Sequence, residues 1–300
     1  GEDNESKWFT DFMASSDVKN MFNLNAFDAF SVKILASKSA LYQDINRVSQ
    51  DISRDPNPDL KIPTVSEQAA GLHIVILENK LQFAVDMYRR SYSGFIGDQF
   101  VPAGESMTGA NIRFENLMDL SSTGLELVAA YKTKWKENGI FSTQFAITTL
   151  NLELDDYIID ESLRGYPGAP GQGSTRMIRL AVGEELGQIW GPVFDRVAQQ
   201  GETETFTYGD GQTFSYTYSE GEPIFKDLNG DGIKKTAMGQ ALDEDADFEV
   251  LGKAYPDFEF GWTSTFQISR FFAEAHLRGA VGHSKVNLNR MFYESIDQCD

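Results

Sequence analysis

The residues whose types and spacing could do chemistry gather in one short segment, Asp227-Leu228-Asn229-Gly230-Asp231-Gly232. Oxygen side chains at positions one, three and five, followed by glycine at six, match the opening of a calcium loop. There the chain wraps the ion and the glycine permits the sharp turn. Position twelve, where a bidentate glutamate would complete the shell, is Met238, which excludes a complete EF-hand. Closing ligands would have to come from the later run Asp243-Glu244-Asp245-Ala246-Asp247. The candidate metal set is therefore Asp227, Asn229, Asp231 and Asp247, with Asp245 as an alternative. The same residues also read as an Asx-rich turn whose side chains bond their own backbone.

Other reactive constellations are thin. The three histidines, His73, His276 and His283, sit in no Cys/His metal spacing. Asp155-Asp156 could serve as a glycosidase pair, but adjacent acids arise readily in a chain with 45 Asp and Glu. No Gly-x-Ser-x-Gly elbow is present, and the glycine-rich stretch 165–173 lacks the Lys-Ser/Thr of a phosphate loop. No catalytic residue is assigned, an enzyme is not expected, and calcium is the only cofactor the residues suggest. Against 26 Lys and Arg, the acids leave a net charge of −19, which repels phosphate backbones and makes nucleic acid a poor partner. The single cysteine, Cys299, allows no internal disulfide.

The elements that would hold these residues are strands. Leu81, Phe83, Val85 and Met87 alternate with Gln82, Ala84, Asp86 and Tyr88, and upstream Leu72, Ile74 and Ile76 alternate with His73 and Val75. This period of two, broken at Glu78-Asn79-Lys80, predicts a hairpin over 71–90. Leu125, Leu127, Ala129 and Tyr131 form another such face. Past the hairpin signal Asn138-Gly139, Phe141, Phe145 and Ile147 form the next. Near the end, Phe271, Ala273, Ala275 and Leu277 alternate with Phe272, Glu274, His276 and Arg278. Three ionisable side chains on one face would be costly in a sandwich core and cheap on the wet inside of a large barrel. A soluble sheet with one buried face accounts for the same alternation.

Between the strands lie long polar segments, 160–176 and 201–250, the second holding the hairpin signal Asp210-Gly211. Loops of that length are unusual in compact domains and usual on one side of outer-membrane barrels. No run approaches 18 apolar residues, so no transmembrane helix is predicted, and the acidic start Gly1-Glu2-Asp3-Asn4-Glu5 is no signal peptide. No fixed-period repeat is visible.

Two blocks carry a family resemblance. Gly221-Glu-Pro-Ile-Phe-Lys-Asp-Leu-Asn-Gly-Asp-Gly232, then Val250-Leu-Gly-Lys-Ala-Tyr-Pro-Asp-Phe-Glu-Phe-Gly261, resemble the late barrel region of the SusC/RagA family of TonB-linked outer-membrane proteins. That family shows "KDxNGDG", an acidic residue (here Asp247), then "xxxGxxxPDFxxG" and a strand. Asp119–Leu127 is similar to the "NxGxE" strand start. Val182-Gly183 through Val193-Phe194-Asp195 is similar to the "xGxPxGxxxGYVFDG" block. Asn57–Lys61 with Glu67 and Gly71 resembles the "NPxLKPExSxxxExG" lead-in, and Asp86–Arg90 resembles "DYYxR". The chain departs from the pattern at Glu185, Pro192 and Arg196, and by an insertion between Asp231 and Asp247.

The resemblance implies an all-β fold: an antiparallel transmembrane barrel portion, part of about 22 strands, with long extracellular loops. Residues 1–300 would be a partial barrel domain cut from a longer chain, without plug domain or final strands. It implies TonB-driven import of a large nutrient, a glycan or peptide, across the outer membrane of a Gram-negative bacterium. The implied partners are the TonB complex, a SusD-like surface lipoprotein and outer-membrane lipid. The rival reading is a secreted soluble β-protein binding calcium and carbohydrate.

Overall fold

In a computed structural model the chain is described at residues 10–22, 24, 26–40, 54–102, 104–135, 139–158, 161–166, 175–207, 213–232, 234–236, 241–244, 246–287 and 289–290. Every named element is a strand, and the chain divides into two compact units. The first holds β1 (Thr10–Asp17), β2 (Ala29–Ala40), β3 (Thr64–Ile76), β4 (Leu81–Phe100), β5 (Ile112–Trp135), β6 (Gly139–Tyr157), β15 (Phe258–Ile268) and β16 (Phe271–Val281). These form one eight-stranded antiparallel sheet in the order β1-β2-β3-β4-β5-β6-β15-β16. Among the described residues its two ends, β1 and β16, pair on one side only, so the sheet is open as expected of part of a barrel.

The tightest turns lie at one end of the strands and the two longest connections at the other, while 18–28 and 101–111 are equal in length. At one end of the strands lie 18–28, 77–80, 136–138 and 269–270; at the other lie 41–63, 101–111 and 158–257. Short turns on one side and long loops on the other are the pattern of outer-membrane barrels. The predicted hairpin over 71–90 is present, Ile76 facing Leu81 across the turn. Leu77, Glu78 and Asn79 all adopt positive φ, 58°, 59° and 62°. The tight reversal holds three side-chain-bearing residues in the left-handed region at a cost. The N–H of Asn79 donates to Asp28 Oδ2 at 2.8 Å and offsets part of it.

Register decides which side chains share a face, because directly paired residues point the same way. Phe83 pairs with Ile74 and Ala129, Ala129 with Phe145, Phe145 with Trp262, and Trp262 with Leu277. Leu81, Phe83, Val85 and Met87 therefore share one face with Ala273, Ala275 and Leu277, as the alternation predicts. That face is open: Met87 is 57% exposed and Leu277 55%. Side chains of this size in a two-sheet core would be covered, so the sandwich reading fails on this sheet.

Aromatic residues collect where that face meets the short turns. Phe30, Tyr131, Trp135, Phe141, Phe266 and Phe271 all lie there, with Trp135 edge-on to Phe266 at 5.7 Å. Above them, β5 shows Thr133, Tyr131, Ala129, Leu127 and Leu125 on the apolar face. The next row is polar: Gln68, Arg89, Thr123 and Asn151 pair in sequence across β3 to β6. From Thr133 to Leu125 is about 27 Å along the strand, which at a tilt of about 40° gives roughly 21 Å, near the apolar band of outer-membrane barrels.

β4, β5 and β6 run to 20, 24 and 19 residues, well beyond the length needed to cross. Their extensions toward the long loops carry the register shifts at Tyr92/Phe95 and Asp119/Leu120. They also carry the unit's tightest packing, with Leu120, Leu154 and Tyr157 buried. The free edge of the β6 extension is covered by 182–185: the N–H of Leu154 donates to Glu184 O and that of Gly183 to Leu154 O.

The second unit contains β7 (Glu161–Tyr166), β8 (Thr175–Ala181), β9 (Gln188–Pro192), β10 (Phe194–Val197), β11 (Thr203–Thr207), β12 (Thr213–Thr217), β13 (Pro223–Phe225) and β14 (Phe248–Lys253). Four of these make a sheet in the order β14-β9-β8-β7, while β10 pairs β13 and β11 pairs β12. The stretch read from sequence as loop over 160–176 thus includes strand at both its ends. The hairpin signalled by Asp210-Gly211 forms, Thr207 pairing Thr213, although those two turn residues lie outside the described residues. So do Asn138, Met238, Asp245 and Cys299.

Candidate functional site

The face opposite the apolar one carries the sheet's charge. One row across it reads Lys33, Gly71, Asp86, Glu126, Thr148 and Glu259. Lys33 Nζ reaches over Gly71 to Asp86 Oδ1 at 2.9 Å. A Cβ at Gly71 would collide with that same oxygen and press on Lys33 Cε, so glycine here makes room for the ion pair. Gly124 plays the same part for the Tyr88 ring, which lies where its side chain would be. The Arg90 guanidinium stacks over Tyr88 at 4.4 Å and pairs with Glu67 at 3.3 Å.

Nearer the short turns the polar face carries amides and hydroxyls together with lysines. A pocket of about 340 Å³ is lined by Lys80, Gln82, Lys132, Ser142, Gln144 and Thr263. Beside it Thr263 Oγ1 and His276 Nδ1 are 3.0 Å apart, and His276 Nε2 lies 3.2 Å from Glu274. These groups can hold polar molecules by hydrogen bonds. His73, on β3, lies on the same polar face as Asp86.

The acidic loop belongs to the second unit. Asp227 accepts the Gly230 N–H at Oδ1 (2.7 Å) and the Gly232 N–H at Oδ2 (2.8 Å), and Asn229 Oδ1 accepts the Asp231 N–H at 2.9 Å. Gly230 and Gly232 sit at φ 74° and 81°, which explains glycine at both positions. Asp247 is fully buried, takes the Leu228 N–H and the Lys235 N–H on its two oxygens (2.7 Å each), and donates its own N–H to Lys235 O. The residues expected from sequence are therefore brought into one loop, with Asp247 stitching the loop to the start of β14. These bonds are all accepted from backbone N–H groups. Among the described residues no three His, Cys, Asp or Glu groups are placed to hold a metal ion.

Around the stitch sits a small core. Trp190 stacks near Phe248 (6.4 Å), donates from Nε1 to Ala241 O at 2.8 Å, and carries the Arg179 guanidinium over its ring at 4.3 Å. On the β11–β12 hairpin the Tyr218 hydroxyl donates to Glu204 at 2.6 Å. Burial and that carboxylate both push the phenol pKa well above its ordinary value. Asp155 and Asp156 have structural uses: Asp155 accepts from Ser121 Oγ at 2.7 Å and Asp156 from the Tyr157 N–H.

Sequence reading missed Asp55. It is 3% exposed and sits in the 41–63 connection, where its Oδ1 accepts from Ser106 Oγ, the Thr108 N–H and Thr108 Oγ1 at 2.9–3.0 Å. Burial pushes its pKa up, but the Thr108 N–H and the two hydroxyls outweigh burial and leave it below the usual carboxylate value. Beside it Arg54 forks onto Asp98 and lies over the Phe114 ring. Ser106 and Thr108 two apart in a Gly-rich stretch was the available signal, and it is a weak one.

An apolar belt with an aromatic edge, a charged reverse face and one-sided long loops define the wall of an outer-membrane β-barrel. No family profile matches the chain. It is similar to TonB-dependent receptor P3 of Formosa agariphila, 24% identical over 237 residues that cover 77% of the chain and 22% of the relative. TonB-dependent receptor P26 of the same organism is 24% identical over 272 residues, 88% of the chain and 25% of the relative. The chain thus spans about a quarter of the length of these relatives. Among solved structures, the RagAB peptide transporter superposes with a TM-score of 0.66 at 15% identity, over 94% of this chain and 30% of that one. The RagAB peptide importer in the open-open state gives 0.61 at 17%, over 94% and 29%. The chain is thus similar in sequence to TonB-dependent receptors and in fold to the RagAB transporter, in line with the SusC/RagA resemblance of its sequence blocks.

Proposed function

We propose that residues 1–300 form part of the wall of a TonB-dependent transporter in the outer membrane of a Gram-negative bacterium. The transporter imports a nutrient too large for simple pores, a glycan or peptide. The observation that carries this reading is the apolar face of the sheet, exposed, about as tall as a bilayer core and edged by aromatic residues at the short-turn end. The polar face then lines the passage, its Lys33–Asp86 and Arg90–Glu67 pairs and the Gln82/Gln144 amides offering hydrogen bonds to hydrated cargo. The TonB complex would supply the energy and a SusD-like lipoprotein would cap the long-loop side. No covalent step is assigned to any residue.

The test uses the whole receptor. Cells in which it is deleted should lose growth on one oligosaccharide or peptide as sole source while keeping growth on its monomers. The purified receptor should need detergent and migrate as a compact, heat-modifiable band. A monodisperse, detergent-free protein with one sharp thermal transition would contradict the reading.

Calcium at Asp227, Asn229, Asp231 and Asp247 is a subordinate reading. An ion there would have to take oxygens that now accept backbone N–H groups. Calcium titration of the receptor against Asp231→Ala decides it. Equal heats leave the loop as a backbone-bonded turn, and heat lost in the variant assigns the ion.

A further inference from the structure

The apolar face ends, toward the long loops, on a patch of different character from the rest of the sheet. On β2, β3 and β4 the register places Lys38 beside Ser66 and Ser66 beside Ser91; one row below, Ala36, Gln68 and Arg89 align. All lie on the same face as Ile34, Ala70 and Met87, which form the row beneath. Lys38, Gln68, Arg89 and Ser91 are exposed.

Two features set these cations apart. In a chain of net charge −19, the side chains of Lys38 and Arg89 make no ion pair or hydrogen bond among the described residues. On the opposite face Lys33 is paired with Asp86 and Arg90 with Glu67. The neighbours of Arg89 along its row, Thr123 and Asn151, are neutral, and the nearest acid on this face in the Lys38 row is Glu153, two strands beyond Ser91.

The spacing suits one ligand. Lys38 and Arg89 are two strands and two residues apart, about 10 Å sideways and about 7 Å along. Side chains of about 6 Å each can bring both charged ends over the Ser66 and Gln68 positions between them. Hydroxyl and amide groups there complete a ring of donors, and the apolar row beneath offers a surface for an acyl chain, with Ile34 52% and Met87 57% exposed.

The geometry points to a binding site for the phosphate of an anionic lipid headgroup, formed by Lys38, Ser66, Gln68, Arg89 and Ser91 at the outer boundary of the membrane band. This rests on the barrel reading. It goes beyond that reading by naming one lipid class and the residues that hold it. A guanidinium suits phosphate because its planar donors can take two oxygens at once, while the ammonium adds a second charge. The flanking rows make the site local: toward β1 the row carries Phe12, and toward β6 it carries Asn151.

The experiment is native mass spectrometry of the intact, detergent-purified receptor, titrated with phosphatidylglycerol or with phosphatidylcholine. Wild type should retain phosphatidylglycerol selectively. Lys38→Gln with Arg89→Gln should weaken that retention about thirtyfold, at roughly one unit of surface charge attraction per cation, and leave phosphatidylcholine unchanged. Arg89→Lys alone should keep most of the retention, which separates charge from fold. Equal retention of both lipids by wild type, or undiminished phosphatidylglycerol on the double variant, would overturn the proposal and leave two cations reaching for the interface. Inorganic phosphate that binds with the same dependence on these residues would overturn the assignment to lipid. Absence of a heat-modifiable barrel in wild type would instead refute the membrane reading beneath it.

Discussion

The two units of this chain place the same kinds of residue in opposite positions. In the eight-stranded sheet, Phe83, Met87, Trp262 and Leu277 stand exposed on one face while Lys33, Asp86 and Glu126 share the other. In the second unit, Ile189, Ile224 and Phe248 are buried, and an aspartate, Asp247, is fully buried among them because two N–H groups hold its carboxylate. The second unit has a small buried core of this kind, although Phe194, Val197 and Leu251 stand exposed around it. The sheet departs from that pattern mainly on one face, over a height of roughly 21 Å, with Met13, Ile140 and Phe272 the exceptions on the other, and the proposed reading makes lipid the solvent of the apolar face.

The contrast breaks most readily at the middle of the belt. Phe83→Arg should cost about 2–4 kcal/mol, the usual penalty for a cation at the bilayer midplane. Ala84→Arg, one residue on and facing the polar side, should cost far less. Unfolding of the receptor by denaturant in lipid, comparing the two variants, measures this. Equal costs would mean that the two faces meet the same medium.

The next effect is local to the loop unit. Asp247→Ala removes the carboxylate that accepts the Leu228 and Lys235 N–H groups, at about 1–3 kcal/mol. Limited proteolysis should find new cleavage between Lys226 and Phe248 while the sheet's heat-modifiable mobility is unchanged.

Much of this was legible in sequence, for identifiable reasons. The 71–90 hairpin showed itself because strict alternation is interrupted once, at Glu78-Asn79-Lys80. The left-handed Leu77 did not, since leucine there defies propensity and depends on the tertiary bond from Asn79 to Asp28. β2 carries the same alternation, Val32, Ile34 and Ala36 against Ser31, Lys33 and Leu35, and was open to the same reading. The pairing of β6 with β15 skips the whole of 158–257 and no local pattern announces it. The short strands β7, β8, β9 and β14 have no clear period, and their order is set by non-local pairing. For the acidic loop, spacing identified Asp227, Asn229 and Asp231. Asp247 entered only as one acid of the run 243–247, later marked by the resemblance, because it closes the loop from the far side of an insertion.

A smaller effect concerns acid. Asp55's pKa is depressed in the folded chain, so its contribution is present above the ordinary carboxylate value and is lost as pH falls through the lower, folded value. Below about pH 4 the Thr108 amide should lose protection from hydrogen exchange. In Asp55→Asn the protection should be weaker and nearly independent of pH over the same range. An unaltered pH profile in that variant would show that the 101–111 loop is held by other contacts. Smallest of all, Lys33→Ala should cost under about 1 kcal/mol in stability, since the pair is half-exposed. Its effect belongs to cargo passage, read as a change in uptake rate.

The central claim, that alternate residues of one strand face lipid and water, is tested most directly by a nitroxide scan along β4 in the lipid-reconstituted receptor, in a Cys299→Ser background. Collision with oxygen, which partitions into lipid, should peak at positions 81, 83, 85 and 87. Collision with a water-soluble nickel complex should peak at 82, 84, 86 and 88, with the phase ending near Arg89. Nickel access at 83 and 85 equal to that at 82 and 84, or a scan in which neither reagent reaches the odd positions, would contradict the account.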